Sequence, residues 1–169
     1  INGDFIIYES TNQDISKLQQ AYPDAKIVKN FQQRVITTND KGIEGLLMKS
    51  MTIEDFYKIP RLNENLFEIE NVNKNWVFIG TELARSLDVK VGESLQISIP
   101  GSSMTILGPV LNSHILEIKG IFNTGIYDYD KYFIYSSDSY FSDISDYPVF
   151  EVYEGKTKLD FKDLSPMIY

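Results

Sequence analysis

The chain has 169 residues, 43% hydrophobic and 13% aromatic, enough to close a packed core in one domain or two small ones. Its 24 acidic and 16 basic residues leave a formal charge of −8. That balance argues against nucleic acid and against adsorption to an anionic membrane surface. Cysteine is absent, which excludes disulfides and thiolate metal sites.

No run approaches the roughly 20 apolar residues of a membrane span, and no signal-peptide pattern is present. The chain begins Ile1-Asn2-Gly3 without an initiator Met. It is therefore expected to be a processed product or an excised piece of a longer polypeptide, whose flanks could include membrane helices.

In chain order, residues 4–8 form an apolar β-prone run. Ser10 or Thr11 is placed to cap a short helix with Ile15, Leu18 and Ala21 on one face, ending before Pro23. Residues 25–30 read as a second strand. A hairpin follows, with strands at 35–38 and 43–49 around the turn Asn39-Asp40-Lys41-Gly42. Thr52, with Glu54 and Asp55 behind it, marks a helix start, and Pro60 closes that segment. Residues 63–75 are polar, Asn-rich and irregular, the best candidate for a join between subdomains.

Residues 76–79 read as a short buried strand, and Thr81 is placed to cap a helix with Leu83, Ala84 and Leu87 on one side. A turn at 89–93 leads into a strand at 94–99, where polar and apolar residues alternate without error. A strand at 115–122, a turn around Gly125, a strand at 131–135 and a short helix at 136–144, capped by Ser136 or Ser137, come next. A strand at 149–153 precedes a polar turn at 154–156, and Phe161 and Leu164 suit a helical turn near the end. Strands outnumber helices and several are joined by hairpin-like turns, so the fold class is α+β with a mostly antiparallel or mixed sheet.

The most informative segment is 102–113, Ser-Ser-Met-Thr-Ile-Leu-Gly-Pro-Val-Leu-Asn-Ser, between two strand-like runs. Hairpin connections usually run two to five residues and are polar, with Gly, Asn or Asp. This one is roughly twice that length and carries Met104, Ile106, Leu107, Val110 and Leu111. Long loops are functional or disordered, and disordered segments are poor in such residues. Two readings stand open. Ile106, Leu107 and Leu111 fold back on the sheet as a satellite core, or the segment protrudes and docks in a partner's groove, stiffened by Pro100 and Pro109.

Catalytic constellations are thin. His114 is the single histidine, and a lone His is far more often a strand-end or surface residue than a general base. No Gly-x-Ser-x-Gly elbow and no phosphate-binding Gly loop occurs; Gly42, Gly45 and Gly92 sit at turns or in strands. Asp128 and Asp130, with Tyr127, Tyr129 and Tyr132, form an acidic aromatic cluster. Two alternating carboxylates are too few for calcium, and the plainer reading is a turn with Asp at its corners before an edge strand.

The run Ile79-Gly80-Thr81-Glu82-Leu83-Ala84-Arg85-Ser86-Leu87-Asp88-Val89-Lys90-Val91-Gly92-Glu93-Ser94-Leu95 resembles the G-x-x-L-A-x-x-L-x-V-x-x-G-D element of ABC transporter permeases of the MacB/FtsX-like superfamily. The long apolar segment, followed by Ile118-Lys119-Gly120-Ile121-Phe122 and Gly125-Ile126-Tyr127-Asp128-Tyr129-Asp130, resembles the lipoprotein-releasing (Lol) permeases. Gly45-Leu46-Leu47-Met48-Lys49-Ser50-Met51 is similar to their G-v-x-v-x-G-i strand, with Ser50 where the family tends to have Gly. The resemblance covers roughly residues 1–153.

That resemblance implies a periplasmic domain set between the first two of four membrane helices, on the periplasmic face of the bacterial inner membrane. The implied architecture is a mixed α/β Porter-like subdomain at 1–74 and 136–169, with an inserted β-rich Sabre-like subdomain at 75–135 bearing a hook at 102–113. The hook residues carried over are Met104, Ile106, Leu107, Pro109, Val110 and Leu111. The implied partners are a LolA-like periplasmic lipoprotein carrier, the lipoproteins, a second permease and a separate cytoplasmic ATPase subunit, which binds the ATP. No catalytic site, cofactor or metal is implied in this domain. The family hook often has a second Pro and an Arg near its tip; here Pro109 is the only Pro inside the segment and Arg is absent. Two alternatives remain: a MacB-like or FtsX-like exporter or signalling domain, and a small β-barrel enzyme using Asp128, Asp130 and His114.

Overall fold

The computed structural model describes residues 4–8, 12–40, 42–62, 66–67, 75–105, 108–140, 148–160 and 162, with the backbone alone at 67, 100–105, 108–111 and 140. In chain order the elements are β1 (Phe5–Tyr8), α1 (Asn12–Ala21), β2 (Lys26–Asn39), β3 (Gly42–Met51), α2 (Ile53–Lys58), β4 (Leu66–Phe67) and β5 (Trp76–Gly80). They continue with α3 (Thr81–Leu87), β6 (Ser94–Thr105), β7 (Gly108–Phe122), α4 (Tyr127–Tyr132), β8 (Phe133–Ser137) and β9 (Val149–Tyr153).

One strand serves two layers. The sequence separates 25–30 from 35–38, but β2 runs unbroken for 14 residues. Its first part, 26–30, pairs antiparallel with β9, and β9 pairs with β1, giving a small three-stranded sheet. Its second part, 31–39, pairs with β3. The polar stretch Gln32-Gln33-Arg34 reads as an interruption, yet a ladder needs only backbone donors and acceptors, and these three side chains are not fully buried.

From β2 the neighbours run to β3, then β8, β5, β7, β6 and back to β2 at Ile36↔Ser98 and Thr37↔Ile97. These six strands close a ring. The β3–β8 and β5–β7 pairings are parallel and the others antiparallel, so the sheet is mixed, as the sequence led one to expect. The ring draws on 31–51 as well as the chain from 76 to 137.

Three clusters form the core. Inside the ring, Val35, Met48, Ile79, Ile97, Ile118 and Ile134 meet Leu83 and Leu87 of α3, which stops one end. Between the ring and the small sheet lie Val28, Met51, Phe56 of α2, Phe78, Tyr135 and Tyr153. Under α1, Leu18 and Tyr22 cover Ile7, Ile27 and Phe150. Tyr22 replaces the expected Ala21, which is exposed. Burying each such aliphatic or aromatic side chain contributes roughly 1.5–3 kcal/mol relative to leaving it in water.

Several local expectations are corrected. Thr52 does cap α2, its Oγ1 accepting from the Asp55 amide at 3.1 Å. Thr81 does not cap α3; Gly80 is the cap residue and offers no side chain. Gly80 is needed for another reason: a Cβ there would fall on the backbone of Asp130, so only glycine lets β5 approach α4. Residues 131–135 are not one strand, because Tyr127–Tyr132 is helical and the strand begins at Phe133. The helix expected at 136–144 is replaced by the end of β8 and a single 3-10 turn at Asp138–Tyr140. Residues 141–147 lie outside the described residues, as do Ser10, Thr11, Phe161, Leu164 and most of the 63–75 join.

Candidate functional site

The β6–β7 hairpin starts inside the ring and outruns it. Its pairing runs from Ser94↔Glu117 to Pro100↔Leu111, shifts register between Pro100 and Met104, and resumes at Met104↔Pro109 and Thr105↔Gly108. On its other edge β6 meets β2 only at Ser98 and Ile97. On its other edge β7 meets β5 only from Glu117 onward. Residues 100–105 and 108–111 therefore make a two-stranded ribbon with no third strand among the described residues. Along its shorter strand, at about 3.3 Å per residue, it extends the hairpin by roughly 10 Å.

The segment that reads as a loop is thus mostly strand. Pro100-Gly101 and Gly108-Pro109 look like turn signals, and the polar–apolar alternation fails between them. Alternation marks a strand with one wet and one dry face, and a ribbon outside the ring has no such constraint. Pro100 lacks an N–H and sits at the register shift, where a missing ladder bond is tolerated. Met104, Pro109, Val110 and Leu111 lie in the ribbon strands, whereas Ile106 and Leu107 lie outside the described residues.

The ring's outer wall holds apolar surface that the local sequence pattern does not single out. Ile43 and Ile115 are 71% and 68% exposed. A shallow groove of about 450 Å3 lies between β2 and β3, lined by Arg34, Ile36, Gly45 and Leu47. Gly45, facing open space in a strand otherwise rich in large apolar residues, was the available signal.

The Asp128, Asp130 and His114 constellation does not form. His114 pairs with Ile97 and so faces the ring interior, half-buried, on the ribbon side. Asp130 is buried at the far end of β7, its carboxylate accepting from the Thr124 amide and hydroxyl, both at 2.8 Å, and from the Gly125 amide at 3.2 Å. Eight residues of strand separate His114 from Phe122, on the order of 25 Å. Asp128 is exposed on α4. Asp130 instead holds the turn in which Gly125 takes φ 74°. Next to it, Lys131 donates to Glu44 at 2.5 Å and to Ser86 at 2.6 Å, tying α4 to β3 and α3. Among the described residues no group of three or more His, Cys, Asp or Glu could hold a metal ion.

A buried polar cluster joins the ring to the small sheet. Lys49 of β3 donates to Glu151 of β9 at 2.5 Å, both essentially inaccessible to solvent. Glu151 also accepts from the Tyr153 hydroxyl at 2.9 Å and the Gln32 amide at 3.4 Å. Burial, and next the charge of Glu151, push the Tyr135 and Tyr153 hydroxyls far above the usual tyrosine range, so both stay neutral. Ser50, where the permease strand tends to have Gly, is buried, its hydroxyl 3.0 Å from that of Ser136. In sequence these residues look like ordinary strand positions, because nothing local says that 49 and 151 meet.

No family model and no curated protein matches the chain. Solved structures do. Over 96% of this chain and 86% of the other, the fold is similar to the extracellular domain of the noncanonic ABC-type transporter YknZ from Gram-positive bacteria, with TM-score 0.55 and 11% identity. A domain assigned to a permease protein from Porphyromonas gingivalis matches 95% of this chain and 67% of its own length, with TM-score 0.49 and 10% identity. The chain thus has the mixed, sheet-dominated fold of an ABC transporter's extracellular domain. Among the described residues no helix is long and apolar enough to cross a membrane.

Proposed function

We propose that this chain is the extracytoplasmic domain of an ABC transporter permease, and more narrowly of a lipoprotein-releasing one, with the ribbon around 100–111 as its grip on a partner. The fold likeness supports the first part. The observation that carries the second is the β6–β7 pairing, which continues past the last contact of either strand with the ring. An apolar sequence held on such a ribbon is a contact surface. Met104, Ile106, Leu107, Pro109, Val110 and Leu111 are its anchors, and a few such anchors carry most docking energy.

The partner is a LolA-like periplasmic carrier or the lipoprotein itself, and its groove is apolar because acyl chains travel in it. ATP is hydrolysed on a separate cytoplasmic subunit, a second permease completes the complex, and the domain stands at the periplasmic face of the inner membrane. Movement of the membrane helices tilts the domain and brings carrier and cargo together. In this reading the Sabre-like body at 75–135 also takes in 31–51, whose strands close its ring, and β1, α1, β9 and 26–30 form the Porter-like body.

Capture of a purified LolA-like carrier by the tagged domain tests the grip. Ile106→Asp and Leu107→Asp are each expected to weaken capture about tenfold or more while leaving the fold intact. Capture at wild-type strength in both variants removes the docking role. A second reading, an exporter or signalling domain of MacB-like or FtsX-like type, is favoured by the structural neighbour from Gram-positive bacteria. Wild-type domain that captures no carrier would support it.

A further inference from the structure

The joint between the small sheet and the ring holds more polar chemistry than its packing requires. β2 changes partner between two adjacent residues: Asn30↔Val149 ends the ladder with β9, and Phe31↔Ser50 begins the ladder with β3. At that step Asn30 is fully buried, and neither its Oδ1 nor its Nδ2 has a hydrogen-bond partner among the described residues. The Tyr135 hydroxyl, buried on the ring side of the same joint, is in the same condition. Between them the Lys49–Glu151 pair crosses from ring to small sheet. The rest of the joint is apolar, with Val28, Met51 and Phe56 among Phe78, Tyr135 and Tyr153.

We infer that this joint is a two-state seam, shut by Lys49–Glu151 and able to open by flexing β2 at Asn30 and Phe31. A dry amide and a dry hydroxyl without partners among the described residues disfavour the shut state, because both groups lose water and gain no bond there. A buried ion pair acts in the other direction but only at close range, since it compensates its desolvation in one geometry and not in a slightly loosened one. Interdigitated rings behave similarly: contacts fall away over a fraction of an ångström. Short-range terms of both kinds give a joint that is made or broken rather than gradually strained. Opening hydrates Asn30 and Tyr135 together and leaves the ring, whose strands pair with one another, intact. The use of such a seam in passing motion from membrane helices to the ribbon rests on the transporter reading; the seam itself does not.

The chain carries its own reporter. Its single tryptophan, Trp76, is 3% exposed and packs in this joint against Phe56 and Phe78, at ring-centroid distances of 6.0 and 4.6 Å. Lys49→Ala takes the buried Glu151 carboxyl's cation away, and it is expected to raise acrylamide quenching of Trp76 several-fold. Amide exchange at 149–153 should quicken with it, while Ile79, Ile97 and Ile118 inside the ring keep wild-type protection. Asn30→Leu removes the unpartnered amide and is expected to lower quenching below wild type. Wild-type quenching in Lys49→Ala would overturn the proposal, as would exchange rising equally in the ring and at 149–153, since one cooperative core would then be at work. If Lys49→Ala does not fold, Asn30→Leu decides alone: quenching unchanged or increased defeats the seam. All readouts use the chain by itself, so a failed carrier capture leaves them untouched, and a rigid joint leaves carrier docking untouched.

Discussion

Every residue of β5 is buried, between β7 on one edge and β8 on the other, whereas the ribbon at 100–105 and 108–111 is, among the described residues, paired on a single edge and lies beyond the ring. Both are β-structure in one continuous hydrogen-bonded system, held by different means. β5 carries Trp76, Val77, Phe78 and Ile79, which pack inward on the ring core and outward on α2 and β8. The ribbon has its own hairpin bonds and whatever a partner adds. A two-stranded hairpin in water is marginal by itself. Stability therefore concentrates in the ring, and a change in the ribbon should be felt little there.

The largest effect should come from emptying the space behind β5. Phe78 is fully buried and sits 4.7 Å from the Phe56 ring, so Phe78→Ala is expected to cost about 3–5 kcal/mol in denaturant unfolding. A loss below about 1 kcal/mol would mean that the joint repacks freely and that the contrast with the ribbon is weaker than drawn. A much smaller effect is expected from the other side of the comparison. Replacing 102–111 by a two-residue Asn-Gly turn should change unfolding free energy by about 0.5 kcal/mol or less, yet abolish carrier capture. If unfolding shifts as far as it does in Phe78→Ala, the ribbon is part of the core and its role as a grip is lost.

The smallest effect concerns a third kind of attachment. The carboxylate of Asp24 accepts from the Lys156 amide at 2.6 Å and the Thr157 amide at 3.0 Å, fastening the chain after β9. The Thr157 bond, first among these contacts, holds Asp24 below the usual carboxylate range. A carboxylate depressed by folding adds stability above its unfolded value and loses it as pH falls through the folded one. Below about pH 4, amide exchange at 156–160 should therefore quicken ahead of the ring, and Asp24→Asn should flatten that dependence. Equal acid response in ring and tail would show that this attachment is no looser than β5.

Much of the local structure was legible. The β2–β3 hairpin follows from its Asn39-Asp40-Lys41-Gly42 turn, α2 from Thr52, and β5 and β9 from short apolar runs, because each signal lies within a few residues. Where tertiary contact competes, local reading fails. Tyr127–Tyr132 reads as turn and strand, yet it is helical, with Asp130 bonded back to Thr124 and Gly125 and packed against Gly80. The apolar character of 104–111 was plain from the start, and its meaning was not. Composition shows that side chains are greasy, and only the pairing of β6 and β7 shows how far they are carried from the ring.

By itself the sequence determined most strand positions, the β2–β3 hairpin, the absence of thiol chemistry and the apolar segment on which a grip would depend. It did not determine that β2 serves two layers, that six strands close on themselves, or that Lys49 meets Glu151 across 102 positions of chain. Those are long-range pairings. A residue's propensity reports on neighbours a few positions away, while ring closure and a buried ion pair depend on which distant segments exclude water together. The physical decision there belongs to packing and desolvation, and these exist only once the chain has folded.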